Sequence, residues 1–411
     1  MLNNLLRTFG IRITTAILSL LIVVVCGQML GAAALGEISL FIVAITIINL
    51  VGGFAGGAAL VYLIPRNSNA GLLSVSNVWA FLSAFVVAIV LYVFNAFPVY
   101  LFWHVLVLGL IGSLNQNLFS VLLANQNIKL HNFLSLLQSV LMILFLLGLT
   151  IFAGINSIYA YVFSMYASYI PVFSVLLFVV KNANVNEKQS FINNFKILFA
   201  YGSLIQLSSI LALLTYRLTY YYTEAWLGFA ALGILAVAAQ ISEAVWILPK
   251  SIAMVQFSKI SNLKDDSNSA HLTFFLAAVT TVFSLFALTV LFFIPDWVYA
   301  FVFGKDFTNV RPIVQIFTPG ILAMSVNIIL SHYFSGTGRV IFNMIGSAIG
   351  LVSVAVSGYI FIRNGNLNNA AMVSSIGYIA NFIFALLCFL MITKKEKISF
   401  GKGYAIMRGQ S

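Results

Sequence analysis

Charge is what this sequence has least of. Only 7% of its 411 residues are Asp, Glu, Lys or Arg, and no more than nine residues are acidic. A soluble domain of this length needs a far larger polar surface, which excludes water as the main solvent and leaves lipid. Cysteine is nearly absent. Cys26 and Cys388 both lie in apolar runs without metal or disulfide spacing and read as buried apolar side chains. The four histidines, His104, His131, His271 and His332, stand far apart in the sequence and read as interfacial or loop residues. There are no paired carboxylates, no His/Cys cluster and no glycine-rich phosphate cradle, so neither catalysis, a metal nor a cofactor is expected.

What is present is apolar. Hydrophobic residues make up 62% of the chain. Runs of roughly twenty apolar residues, the length of a membrane pass, fall at 10–31, 36–63, 72–95, 98–126, 132–154, 157–180, 195–222, 229–253, 271–294, 312–335, 339–362 and 368–393. The spacing predicts an all-α integral membrane protein of twelve transmembrane helices. The polar stretch 182–194 divides it into an N-terminal six-helix bundle (1–181) and a C-terminal one (195–393), followed by a basic tail (394–411). Arg7 and Arg12, an apolar stretch and then Gly31-Ala32-Ala33-Ala34 imitate a secretory signal with a cleavage site. The run is longer than a signal core, however, and the small-residue stretch recurs where no cleavage is expected, so it reads as the first membrane helix.

That recurrence is an internal repeat. Leu30-Gly31-Ala32-Ala33-Ala34-Leu35-Gly36 returns as Leu227-Gly228-Phe229-Ala230-Ala231-Leu232-Gly233, with six of seven letters matching at a spacing of 197 residues. A repeat at half the chain length indicates two copies of one multi-helix unit. Six passes per copy make the repeat parallel, and each heptapeptide then forms a tight, closely packed outer turn of the first hairpin in its half.

The net charge of +11 suggests nucleic acid, yet the basic residues are scattered among the breaks rather than gathered on one face, so no nucleic-acid partner is expected. With both termini cytoplasmic, sixteen of the twenty Lys and Arg fall inside, and Lys305, Arg311 and Arg363 fall outside. This is the positive-inside bias of a multi-pass membrane protein.

Ionisable residues within the runs are costly in hydrocarbon and normally face protein or water. Glu243 lies near the middle of the eighth run. Gln240, Glu243, Ile247 and Lys250 share its helix face, so Glu243 and Lys250 form a candidate cavity or coupling ion pair. Packing support alone is the other reading of that face. Arg217 lies in the seventh run with Ser203, Gln206 and Leu213 on its face. Its fork suits phosphate, while snorkelling or pairing with Glu224 explains it equally well. Arg12 and Arg66 flank runs on the cytoplasmic side, where ligand contact and positive-inside anchoring are both open. Asn117, Ser120 and Asn127 line one face of the fourth run, consistent with a wetted interior. Tyr220, Tyr221, Tyr222 and Trp226 read as an interfacial aromatic belt.

The stretch Phe303-Gly304-Lys305-Asp306-Phe307, then Pro319-Gly320, then Tyr333-Phe334-Ser335-Gly336-Thr337-Gly338-Arg339 resembles the pattern of Wzx-type O-antigen and polysaccharide flippases. These belong to the multidrug/oligosaccharidyl-lipid/polysaccharide exporter superfamily. The resemblance spans the chain in length, segment number and halves. It implies two six-helix bundles around a central cavity and movement of an undecaprenyl-diphosphate-linked oligosaccharide to the outer leaflet. It also implies membrane lipid around the carrier and a place beside a polysaccharide polymerase and chain-length proteins. Basic residues hold the diphosphate in such carriers, and Arg217 and Arg12 are the nearest candidates, with Arg66, Asn117, Gln206 and Gln240 completing the polar set. Outward movement of two negative charges gains about 4–5 kcal/mol per 100 mV in an inside-negative cell. A multidrug cation antiporter of the same superfamily is one alternative and would need acidic cavity residues, of which Glu243 is the one candidate. The peptidoglycan-precursor flippase is a closer rival, but it resembles a fourteen-segment chain and this one has twelve. A polysaccharide polymerase or ligase would need a large outer loop, and the breaks here are too short.

Overall fold

The computed structural model describes residues 2–66, 71–181, 190–261, 263, 266–394 and 399–408. No strand occurs among them. Among the described residues, ten helices are long and apolar enough to cross a membrane. Two of these, Ile13–Leu63 and Phe191–Ile260, run to 51 and 70 residues, enough for two passes each at about 20 residues per pass, which makes twelve. The chain is a multi-pass membrane protein.

Both double-length helices break at the repeat. α1 (Leu2–Gly52) is interrupted at Gly31, with φ 80° and ψ 177°. Its counterpart α7 (Phe191–Glu243) is interrupted at Gly228, with φ 84° and ψ 173°. These angles lie in a region open essentially to glycine alone. A Cβ at Gly228 would meet nothing within 4 Å. Gly31 and Gly228 therefore serve the backbone angle, Gly228 without the close packing expected of it, and each turn is a single residue.

The second pass of each half is broken again, for different reasons. After Gly52 the chain makes a 3-10 turn at Gly53–Ala55 and resumes as α2 (Ala58–Leu63), with Gly57 at φ 50°. After Glu243 it makes a 3-10 turn at Ala244–Trp246 and resumes as α8 (Ile247–Ile260). Pro249 accounts for the second break, because its ring cannot sit against the carbonyl four residues back, at Val245.

Two compact units result, Met1–Ile210 and Leu211–Ser411. The division falls within α7, later than the polar stretch 182–194 predicts, and 182–189 lie outside the described residues. The first turns of α7 pack onto the N-terminal unit. Phe195 meets Trp79 at 5.5 Å, Phe199 stacks on Phe54 at 5.7 Å and Tyr201 stacks on Tyr62 at 4.3 Å.

The first unit is completed by α3 (Gly71–Val93), α4 (Phe102–Ala124), α5 (Ile128–Leu147) and α6 (Ile158–Lys181). α3 buries Ser76, Ala80, Ala84 and Ala88, one small residue per turn, and exposes Phe81, Phe85 and Val93. Small inside and large outside is the arrangement lipid favours, since helices gain most there by close approach.

The second unit contains the rest of α7, then α8, α9 (Asp266–Phe293), α10 (Asp296–Phe303), α11 (Val310–Gly336), α12 (Ile341–Phe361), α13 (Leu367–Ile392) and α14 (Phe400–Arg408). α12 repeats the small stripe at Gly346, Gly350 and Gly358, where a Cβ at Gly350 would lie 3.0 Å from the Gly377 carbonyl oxygen.

The predicted basic tail holds a further helix. α14 packs on α9 through Phe400 and Tyr404 against Phe275, at 4.8 and 5.7 Å. The Ser399 backbone N–H donates to Nδ1 of His271, 3.0 Å away, so His271 is a buried structural residue rather than an interfacial one. Lys259 donates to the carbonyls of Ile406 (3.2 Å) and Met407, a cationic cap on a helix end. Lys259→Met is expected to cost about 1 kcal/mol of α14 docking, read as faster amide exchange across 400–408 with no change in the exchange of α11.

Candidate functional site

The predicted site residues fall into two groups. In the second unit, Arg217 and Glu243 form a two-pronged ion pair: Nη1 donates to Oε1 at 2.6 Å and Nη2 to Oε2 at 2.7 Å. Arg217 lies about three turns before the break at Gly228 and Glu243 about four turns after it, so the pair ties together the two passes that meet there. Both side chains are largely buried, 22% and 16% exposed. A charge at such a place survives only when paired and hydrogen-bonded, and parallel N–H···O bonds satisfy both oxygens of the carboxylate.

Glu243 was expected to pair with Lys250; the structure pairs it with Arg217 instead. Lys250 lies over the Trp246 ring at 5.5 Å. The 3-10 turn between them explains the difference. At three residues per turn it rotates the chain by about 60° more than an α-helix does over three residues, turning Lys250 off the Glu243 face. Lys250 remains within electrostatic reach of both members of the pair. The cluster thus holds two positive charges and one negative. Glu224, the other partner weighed for Arg217, is not bonded to it.

An aromatic cage closes around the pair. Tyr216, Trp246 and Tyr378 form a triangle with ring centres 5.6–5.7 Å apart, and the Trp246 indole N–H donates to the Ile321 carbonyl at 3.1 Å. The Arg217 guanidinium lies 5.0 Å from the Tyr220 ring centre. Tyr220 therefore belongs to this site and not to an interfacial belt, and Tyr222 packs into the notch at Gly358. Gln240 precedes Glu243 by one turn on α7 and is half-buried.

The second group lies in the first unit, around the break at Gly52–Gly57. A Cβ at Gly53 would lie 2.6 Å from Gln206 Nε2, and one at Gly56 would run into Asn117 Oδ1. Asn117 Nδ2 donates to Asn77 Oδ1 at 3.1 Å. Ser113 donates to Asn49 Oδ1 at 3.0 Å. Gln206 Oε1 is buried without a hydrogen-bond partner among the described residues. An unwound backbone inside a membrane bundle needs such polar company, and the glycines let the amides approach it. Gly202 completes the contact, because a Cβ there would strike the Phe54 carbonyl oxygen. The glycine pairs at 52–53 and 56–57 were the signal in the sequence for this site.

Two predicted residues join neither group. Arg66 donates from Nη1 to the Tyr62 carbonyl at 2.8 Å and stacks its guanidinium 3.7 Å over the Tyr62 ring, an exposed local anchor. The side chain of Arg12 lies outside the described residues.

No family model matches the chain, and no curated protein matches it. Solved structures do. The lipid II flippase MurJ in an inward closed conformation superposes with a TM-score of 0.76 at 17% identity, over 98% of this chain and 90% of that one. An inward-facing multidrug resistance MATE family transporter of the MOP superfamily gives 0.74 at 16%, over 97% and 96%. The Vibrio cholerae MATE transporter VcmN, as a mutant, gives 0.68 at 15%, over 96% and 97%. This chain therefore has the fold shared by MurJ and the MATE transporters.

Proposed function

We propose that the chain is a flippase for undecaprenyl-diphosphate-linked oligosaccharide, an O-antigen or capsular repeat unit, in the bacterial plasma membrane with both termini cytoplasmic. The observation that carries this reading is the charge balance of the buried interior. Arg217, Glu243 and Lys250 leave a surplus of one positive charge, and both oxygens of the one carboxylate are occupied by the arginine fork. Such a cluster suits an anion. Glu243 holds the fork while the site is empty, and a diphosphate displaces it with Lys250 supplying the second cation. The sugar head then crosses in a polar interior instead of hydrocarbon, where each unpaired hydroxyl costs several kcal/mol.

The multidrug antiporter reading draws equally on the shared fold, but a cationic drug needs a carboxylate to meet it. In the first unit the one described carboxylate, Glu37, accepts from the Tyr100 hydroxyl at 2.7 Å.

The test is reconstitution into vesicles with undecaprenyl-diphosphate-linked oligosaccharide and a leaflet-specific label. Arg217→Lys keeps the charge and loses the fork, and it is expected to slow flipping about tenfold. Flipping that is unchanged in Arg217→Lys, or wild-type vesicles that export a cationic dye and leave the lipid in place, would overturn the proposal.

A further inference from the structure

The first unit contains a second polar interior whose chemistry differs from that of the ion pair. Two cavities of about 360 and 290 Å³ share Gln138 and Tyr169 in their walls. The larger is also lined by Thr15, Ser168 and Tyr161, the smaller by Asn49, Asn115 and His131. Among the described residues, no Asp, Glu, Lys or Arg lines either one. α5 turns His131, Ser135, Gln138 and Ser139 toward them, a spacing of i, i+4, i+7, i+8 that marks a single helix face.

A polar stripe of this kind inside a membrane bundle needs partners, and here one is missing. Asn115 is 4% exposed, its Nδ2 reaches the Tyr169 carbonyl at a long 3.4 Å, and its Oδ1 has no hydrogen-bond partner among the described residues. A buried amide oxygen left so costs about 1–3 kcal/mol, which a ligand that donates there recovers.

We propose that these cavities form a saccharide-binding site. The inference rests on the flippase reading, since the sugar is the head of the lipid-linked substrate. Amides and hydroxyls both donate and accept, which matches a ring of hydroxyl groups, and a lining of amides and hydroxyls among the described residues suits a neutral ligand better than phosphate or ammonium. Tyr161, Tyr169 and Phe119 supply apolar faces for the C–H side of a pyranose. Each cavity is at or near the lower end of small-ligand sites, about 300–1,000 Å³.

The experiment uses the full chain in a detergent without a sugar head group. The probes are glucose, rhamnose and N-acetylglucosamine, with glycerol and choline as controls, read by saturation-transfer NMR. At least one sugar is expected to bind, and to bind about tenfold more weakly in Asn115→Leu and in Gln138→Met, with the lipid-facing Val282→Ala unchanged. Gln138→Met is nearly isosteric and keeps the test valid if Asn115→Leu does not fold. No sugar binding to the wild type, equal affinity in Gln138→Met, or glycerol and choline binding as well as the sugars would overturn the site. Flipping in vesicles without sugar binding overturns the site and leaves the flippase reading standing. Sugar binding without flipping does the reverse.

Discussion

Glu243→Ala is expected to destabilise the protein by about 3–5 kcal/mol, read as a large fall in the thermal unfolding midpoint of the detergent-solubilised chain. The loss comes mostly from what remains. Arg217 stays charged, is only 22% exposed and has no second carboxylate bonded to it. Arg217→Ala leaves Glu243 in the same position and is expected to cost a similar amount. The double substitution Arg217→Met with Glu243→Leu removes both charges and fills the space, and it is expected to be near neutral. Stability and transport should then part company: the double variant folds as well as the wild type and flips nothing. Additive losses, with the double variant worse than either single one, would mean that the two residues do not act as a pair.

Gly31→Ala and Gly228→Ala are each expected to cost about 1–3 kcal/mol, and a β-branched residue more, because φ near 80° with an extended ψ is closed to any residue with a Cβ. A Cβ meets nothing within 4 Å at Gly228, so the whole cost there is torsional. Gly148 is the matched control: its surroundings are also open, but its φ is −58°. Gly148→Ala is expected to be neutral or slightly stabilising. Since Gly31 and Gly228 lie in different units, the two losses should add. Equal unfolding midpoints for Gly228→Ala and Gly148→Ala would remove the backbone explanation.

The twelve passes were legible because each needs about twenty apolar residues, and lipid tolerates few exceptions. The role of the repeat was harder to read. Glycine in a membrane chain serves either close packing or a positive φ, and the letters Leu-Gly-x-Ala-Ala-Leu-Gly fit both; the positive φ at Gly31 and Gly228 and the open space around Gly228 separate them. Glu243 was legible as a buried charge, but its partner was not. Arg217 is 26 residues away and comes within reach only because the chain folds back at Gly228. The helical face that promised Lys250 was spoiled by a 3-10 turn traceable to Pro249, a residue that lies on no polar face. Tyr216 and Tyr378 could not be found from spacing at all, since 162 residues separate them and the packing of α7 against α13 brings them together.

The fork of Arg217 is occupied from within, and that imposes a threshold. A carboxylate tethered to the same helix pair competes at an effective concentration that no small anion in the cell approaches. Chloride has one charge and no pair of oxygens for the fork, and acetate offers the same two oxygens as Glu243 without its tether, so neither displaces it. A ligand must bring either more charge or further contacts elsewhere on the protein before the arginine becomes available. With a diphosphate held by Arg217 as proposed, entry is rationed by an internal competitor, and selectivity against the abundant simple anions requires no gate.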